Sequence, residues 1–233
     1  MPGFAPGVLS QYRDTQMASS IRLFRLFGIT VYLHWTWFLM AAYRLDTARE
    51  TPLVALCTYV GLFLIVLMHE FGHSLATRQV GGQSNEILLW PFGGIAYINA
   101  PNRPGAHLWS IAAGPLVNVA LFPILWVLNQ FDLGPFANTV LWDLFVINLV
   151  LLVFNLLPVY PLDGGQILRT LLWYWVGELR SLKYACIVGL IGSGAGLVYT
   201  LVILREWWLA LLAGFAFFIC WQRYQMVRAY ERY

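Results

Sequence analysis

The sequence predicts an all-α polytopic membrane protein of about six transmembrane helices, with a small β-hairpin near its active site. Three observations carry this. The chain is 60% hydrophobic and 11% charged, with a mean hydropathy of +0.67, whereas a soluble domain is nearer a quarter charged. Several windows of roughly 20 residues hold few or no charges, long enough to cross about 30 Å of hydrocarbon as helices. One further apolar stretch, between Gly81 and Ala100, is interrupted by Pro91, Phe92, Gly93 and Gly94 and reads as two short strands around a Gly-rich turn.

Residues 1–27 read as a cytoplasmic or interfacial N-terminal arm. Pro2, Gly3, Pro6, Gly7 and Asp14 leave its start without an apolar core, so no cleavable secretory signal is expected there. Its end, residues 21–27, mixes basic and apolar side chains in a way that suits a membrane surface. Residues 28–233 then read as a single six-span membrane domain, with spans near 28–43, 53–78, 107–129, 139–157, 183–204 and 207–223. In the hairpin, Ile87, Leu88, Leu89 and Trp90 precede the turn, and Ile95, Ala96, Tyr97 and Ile98 follow it. Unpaired strand edges cannot face lipid, so the hairpin must be sheltered by protein or open to a water-filled cavity. The segment 158–182 has room for a short amphipathic helix. There is no internal repeat or low-complexity tract.

Charge orients the chain. The net charge of +3 is dispersed rather than clustered on one helix, which argues against a nucleic-acid partner and for the lipid bilayer as the surroundings. With the N-terminus in the cytoplasm, Arg13, Arg22, Arg25, Arg78, Arg103, Arg169, Arg180, Lys183, Arg223, Arg228 and Arg232 fall on that side. Arg44, Arg49 and Arg205 are the remainder of the 14 basic residues. This bias follows the positive-inside rule and puts both termini in the cytoplasm. Trp35, Trp109, Trp142, Trp207, Trp208 and Trp221 lie near span ends, where tryptophan anchors to the interface. Cys57, Cys186 and Cys220 sit in apolar runs without a CxxC pairing and read as small buried hydrophobes.

The chemistry is concentrated in the second span. His69, Glu70, Phe71, Gly72 and His73 match HExxH. A spacing of four puts both imidazoles on one helix face, where they can share one metal ion, with Glu70 beside them to take a proton from water. Random placement of this composition gives about 0.002 such matches, so the pattern is specific. Two histidines leave zinc short of the three protein ligands of a catalytic site. Asp163 is the best candidate for the third. It follows the fourth span in the run Asn155, Leu156, Leu157, Pro158, Val159, Tyr160, Pro161, Leu162, Asp163, Gly164, Gly165, where prolines and glycines break the helix. That span runs in the same direction as the HExxH span, so both motifs fall near cytoplasmic ends.

HEFGH in one span and NLLPVYPLDGG after a later one resemble the site-2 protease family of intramembrane zinc metalloproteases. Gly114, Pro115, Val117 and Asn118 add a GPxxN-like element of that family. The resemblance covers a catalytic core of about residues 53–165, in a compact form without a PDZ or CBS domain. It implies one zinc ion held by His69, His73 and Asp163, Glu70 as general base, and a transmembrane protein as substrate, cleaved in regulated intramembrane proteolysis. Regulatory membrane partners and a prokaryotic inner membrane are further implications. Asn155 corresponds to the family's polar residue before the aspartate, and its amide can hold a substrate carbonyl or its oxyanion. A helix-packing hydrogen bond is the alternative. LLWPFGG looks like the family's edge strand, which adds an extended substrate to a sheet. A plug for the cavity between spans is its plainer role.

Other polar residues carry less. Asn118 reads as supporting packing or positioning another motif residue, Asn148 has no assigned role, and His34 reads as hydrogen-bonded or access-lining rather than a fourth ligand. Two other classes stay open. Intramembrane His and Asp also mark ion paths in metal transporters, although a transport site has little use for Glu70. A non-catalytic membrane scaffold is the third class.

Overall fold

The computed structural model describes residues 19–48, 51–90 and 93–231. The chain forms two compact units, Met1–Pro101 with Ala113–Leu152, and Asn102–Ala112 with Val153–Tyr233. The first holds strands β1 (Ser20–Leu26) and β2 (Ile29–His34), helices α1 (Thr36–Thr47) and α2 (Pro52–Gln79), and strands β3 (Gln83–Trp90) and β4 (Gly93–Asn99). Helices α3 (Pro104–Leu128) and α4 (Pro135–Leu156) run through both units. The second unit continues with α5 (Asp163–Val176), α6 (Glu178–Tyr199), a π-helical turn (Thr200–Leu204) and α7 (Trp207–Tyr230).

The strands form one sheet in the order β1-β2-β3-β4. Outer pairs are antiparallel and the central β2–β3 pair is parallel, with Val31 opposite Ile87 and Leu33 opposite Leu89. A parallel pair needs a crossover, which here is α1 and α2. Ile29, Val31, Leu33, Ile87 and Leu89 pack with Trp37, Val66 and Leu67 into the core beneath the sheet. The sheet is thereby fastened to the middle of α2.

Three expectations change here. The anticipated hairpin exists as β3 and β4, but it is half of a four-stranded sheet. The described end of the N-terminal arm is β1, and residues 29–34, assigned to the first span, are β2. Ile29, Thr30, Val31, Tyr32, Leu33 and His34 are rich in β-branched and aromatic residues, and Ile29, Val31 and Leu33 are buried on one face while Thr30 and Tyr32 are less so. Only the 12-residue α1 remains helical, about 18 Å of rise against the roughly 30 Å of hydrocarbon.

Four helical segments are long and apolar enough to span: Pro52–Gln79, Pro104–Leu128, Pro135–Leu156 and Glu178–Leu204. The protein is an integral membrane protein. Proline begins α2, α3 and α4, where its missing N–H costs no hydrogen bond. Large apolar side chains such as Val150, Ile191 and Val198 are exposed, as lipid-facing positions require. α7 is 24 residues long, but its tryptophans and the Gln222–Arg223 pair dilute its apolar window. All six tryptophans expected at interfaces are exposed. Cys186 and Cys220 are buried as expected, and Cys57 is half-buried.

The expected amphipathic helix in 158–182 is α5. Its first turn packs tightly on the preceding chain: a Cβ at Gly164 would strike the Leu156 and Leu157 carbonyls, and one at Gly165 the backbone of Val159 and Tyr160. The turn after α3 is closed by Asp132, whose Oδ1 accepts from the Gly134 N–H (3.1 Å) and Asn138 Nδ2 (2.8 Å). Those donors hold the Asp132 carboxyl below its ordinary pKa.

Candidate metal centre

Helix α2 is apolar on most of its circumference, and one buried stripe interrupts this: His69, Glu70, His73, Ser74 and Thr77. Ionisable groups are costly at membrane depth, so a stripe of this kind demands partners. The two histidines supply each other's. His69 Nε2 and His73 Nε2 approach to 3.1 Å, with the rings nearly perpendicular at 84°. Two imidazole nitrogens each 2.0–2.1 Å from one tetrahedral zinc stand about 3.3 Å apart. The pair is therefore preset for one ion, and the donor set fits zinc. Thr77 Oγ1 donates to the His73 carbonyl at 2.8 Å, tying the last turn of the motif.

Glu70 points toward the sheet. The Ala96 N–H of β4 donates to its Oε2 at 3.1 Å. Gly94 makes this position available, because a Cβ there would overlap the Glu70 side chain. Gly114 of α3 does the same for His73, whose imidazole fills the space of the missing Cβ. A further close approach, Gly72 against the Ala113 carbonyl, brings α2 and α3 together. Gly94 and Gly114 lie in motifs the sequence marked, PFGG and GPxxN, but their reason is three-dimensional.

The other face of His69 is held by amides. His69 Nδ1 donates to Asn118 Oδ1 at 2.7 Å, and Asn118 Nδ2 donates to Asn148 Oδ1 at 2.8 Å. Asn118 is thus a positioning residue as well as a packing one. Asn148, without an assigned role in the sequence, belongs to the same chain. The one available signal was a wholly polar residue in an apolar helix.

Asp163 and Asn155 belong to the second unit. Asp163 opens α5, half-buried with its Oδ2 enclosed, and a carboxylate in a first turn is favoured by the helix dipole. Asn155 lies half-buried near the end of α4. His34 is hydrogen-bonded, with Nδ1 2.7 Å from Thr36 Oγ1 and Nε2 3.1 Å from Ser19 Oγ. Burial lowers its pKa, and both ring nitrogens are engaged away from a metal role.

Comparison with known proteins agrees with this geometry. The family model of peptidase family M50 matches residues 57–134 and 129–199. A zinc metalloprotease of Methanocaldococcus jannaschii is 37% identical over 176 residues, covering 74% of this chain and 51% of that protein. The chain spans about half the length of the curated relatives it matches. The solved structure of the site-2 protease from Methanocaldococcus jannaschii has 32% identity and a TM-score of 0.67, covering 88% of this chain and 95% of the other. With the HExxH pair preset for one ion and the fold shared across nearly all of a solved relative, the chain belongs to peptidase family M50, the site-2 proteases.

Proposed function

We propose that this protein is a zinc-dependent endopeptidase that hydrolyses a peptide bond in or near the transmembrane segment of a membrane-protein substrate. The observation that carries this reading is the convergence of the His69 and His73 Nε2 atoms at 3.1 Å, with Glu70 adjacent and buried. Asp163 would complete the ligand set with His69 and His73. Its support is its place in the LDGG motif, whose glycines are both required by packing. Zinc held there supplies Lewis acidity to the scissile carbonyl and lowers the pKa of water.

Glu70 accepts a proton from the attacking water as the C–O bond forms, then delivers it to the amide nitrogen, after which the C–N bond breaks and the amine leaves. The Ala96 N–H bond keeps the carboxylate oriented for this transfer. Asn155 offers its amide N–H groups to the carbonyl oxygen as charge develops. β4 is an edge strand of the sheet and touches Glu70, so an extended substrate added to it would run beside the base.

The charge bias supports cytoplasmic placement of both termini, and membership of the family supports a multi-pass protein of a prokaryotic inner membrane acting in regulated intramembrane proteolysis. A count of six spans needs α7 and the short α1 in addition to the four apolar segments; the length of α7, about 36 Å, supports its inclusion. Residues 28–233 then act as one protease domain with its catalytic core at about 53–165.

The test is cleavage of single-span substrates by reconstituted protein, with zinc content measured in parallel. Glu70→Gln should retain zinc and lose cleavage by about 100-fold or more, and a Gln variant cleaving at the wild-type rate would end the mechanism. Asp163→Ala should lower zinc occupancy. Unchanged occupancy removes Asp163 from the ligand set.

A further inference from the structure

Asn118 and Asn148 are both fully buried, on α3 and α4. Two such amides in apolar helices can serve simply as glue between them. Their bonds, however, have a direction that glue does not need. Asn148 Nδ2 lies 3.0 Å from the backbone carbonyl of Asn118. A carbonyl oxygen only accepts, so the atom facing it must be an N–H donor.

That single fact propagates. With its nitrogen committed to the carbonyl, Asn148 presents Oδ1 to the Asn118 side chain, 2.8 Å away. Asn118 must answer with Nδ2, which turns its own Oδ1 toward His69 Nδ1 at 2.7 Å. An amide oxygen cannot donate, so His69 Nδ1 carries the proton. A neutral imidazole has one N–H, and Nε2 is left with the lone pair a metal requires. Reversal of the Asn118 amide would present a donor to Nδ1, force the proton onto Nε2 and abolish ligation.

We infer that Asn148 is a positioning residue: through Asn118 it fixes His69 in the tautomer able to bind metal, with the polarity anchored at the Asn118 backbone carbonyl. This rests on the reading of His69 as a zinc ligand. The residue touches neither substrate nor metal, and its effect is read in metal affinity and in the proton position on His69.

The experiment uses the full chain in detergent, with zinc affinity from chelator competition, thermal unfolding, and 15N NMR of labelled histidine in the metal-free protein. Wild type should show His69 protonated at Nδ1. Asn148→Leu should lower zinc affinity about 10- to 100-fold, the usual effect of losing such an outer partner, and mix the His69 tautomers. Adding Asn118→Asp to that variant should restore affinity, because a carboxylate can only accept and enforces the tautomer without Asn148. A purely packing role would instead lower the unfolding temperature while leaving zinc affinity and the His69 signal unchanged, which would overturn the inference. Wild-type His69 protonated at Nε2 would overturn it without any variant, including when Asn148→Leu does not fold. If wild type binds no zinc, the proposed metal centre falls, and the tautomer measurement still decides the relay.

Discussion

A methyl group at position 114 would occupy the space of the His73 imidazole, and one at position 94 the space of the Glu70 side chain. Two substitutions of equal size therefore separate metal binding from proton transfer. Gly114→Ala displaces the proposed ligand His73, and zinc affinity should fall at least about 10-fold with cleavage lost in step. Gly94→Ala displaces Glu70, the proposed base, and breaks its bond from the Ala96 N–H. It should keep zinc near one equivalent and lose about 100-fold or more in cleavage rate. Metal analysis and a peptide-cleavage assay on the same preparations decide this, and zinc loss in Gly94→Ala would show that Gly94 protects something other than Glu70. His69, Glu70 and His73 were legible in the sequence because helical geometry converts a spacing of four into a shared face. The needs of Gly94, Gly114 and Asn148 were not, since each depends on which side chain of a distant element arrives opposite it. Asn118 reads from the sequence as packing or positioning, and its bond to His69 names the residue it positions.

Elements differ in the same way. α2, α3, α4 and α6 were recoverable because hydropathy alone decides which segments can satisfy their backbone in lipid. β2 was absorbed into an apolar window, although its buried positions alternate with period two, because its apolar run continues into α1. Besides the apolar core beneath the sheet, Arg78 in the last turn of α2 ties the metal-site helix to the turn between β1 and β2. Its Nε donates to the Ser84 carbonyl at 2.8 Å, its Nη2 to the Gly28 carbonyl and Asn85 Oδ1 at 3.2 Å each, and its Nη1 to the Phe27 carbonyl. Phe27 and Gly28 both have positive φ, so this clamp holds a turn of restricted conformation. Arg78→Met should loosen β1–β2 by about 1.5–3 kcal/mol, the scale of hydrogen bonds to a charged group. Hydrogen exchange should quicken in residues 20–34 while α6 and α7 are unaffected. Arg78→Lys should recover little, because one ammonium cannot reproduce the planar fork that meets several acceptors at once. Unchanged exchange across β1 and β2 would remove the clamp.

For the molecule as a whole, the decisive quantity is which segments cross the membrane. α3 has 25 residues, a rise of about 38 Å, more than the roughly 30 Å of hydrocarbon. Asn102 precedes it and Gln130 follows it, and both are exposed. If α3 spans, these two positions lie on opposite faces of the bilayer, and the basic-residue bias assigns Asn102 to the cytoplasm. Single cysteines at these sites test both statements, in a background carrying Cys57→Ser because Cys57 is the one native cysteine not fully buried. A membrane-impermeant maleimide applied to intact cells should label Gln130→Cys and leave Asn102→Cys unlabelled, and permeabilisation should expose the latter. Labelling of both from one side would mean that α3 does not cross, which would remove the common direction of α2 and α4. Labelling with the sides exchanged would keep the span and invert the protein. In that outcome His69, Glu70 and His73 would open toward the far side of the membrane, and the charge bias would have misassigned the face from which water and substrate reach Glu70.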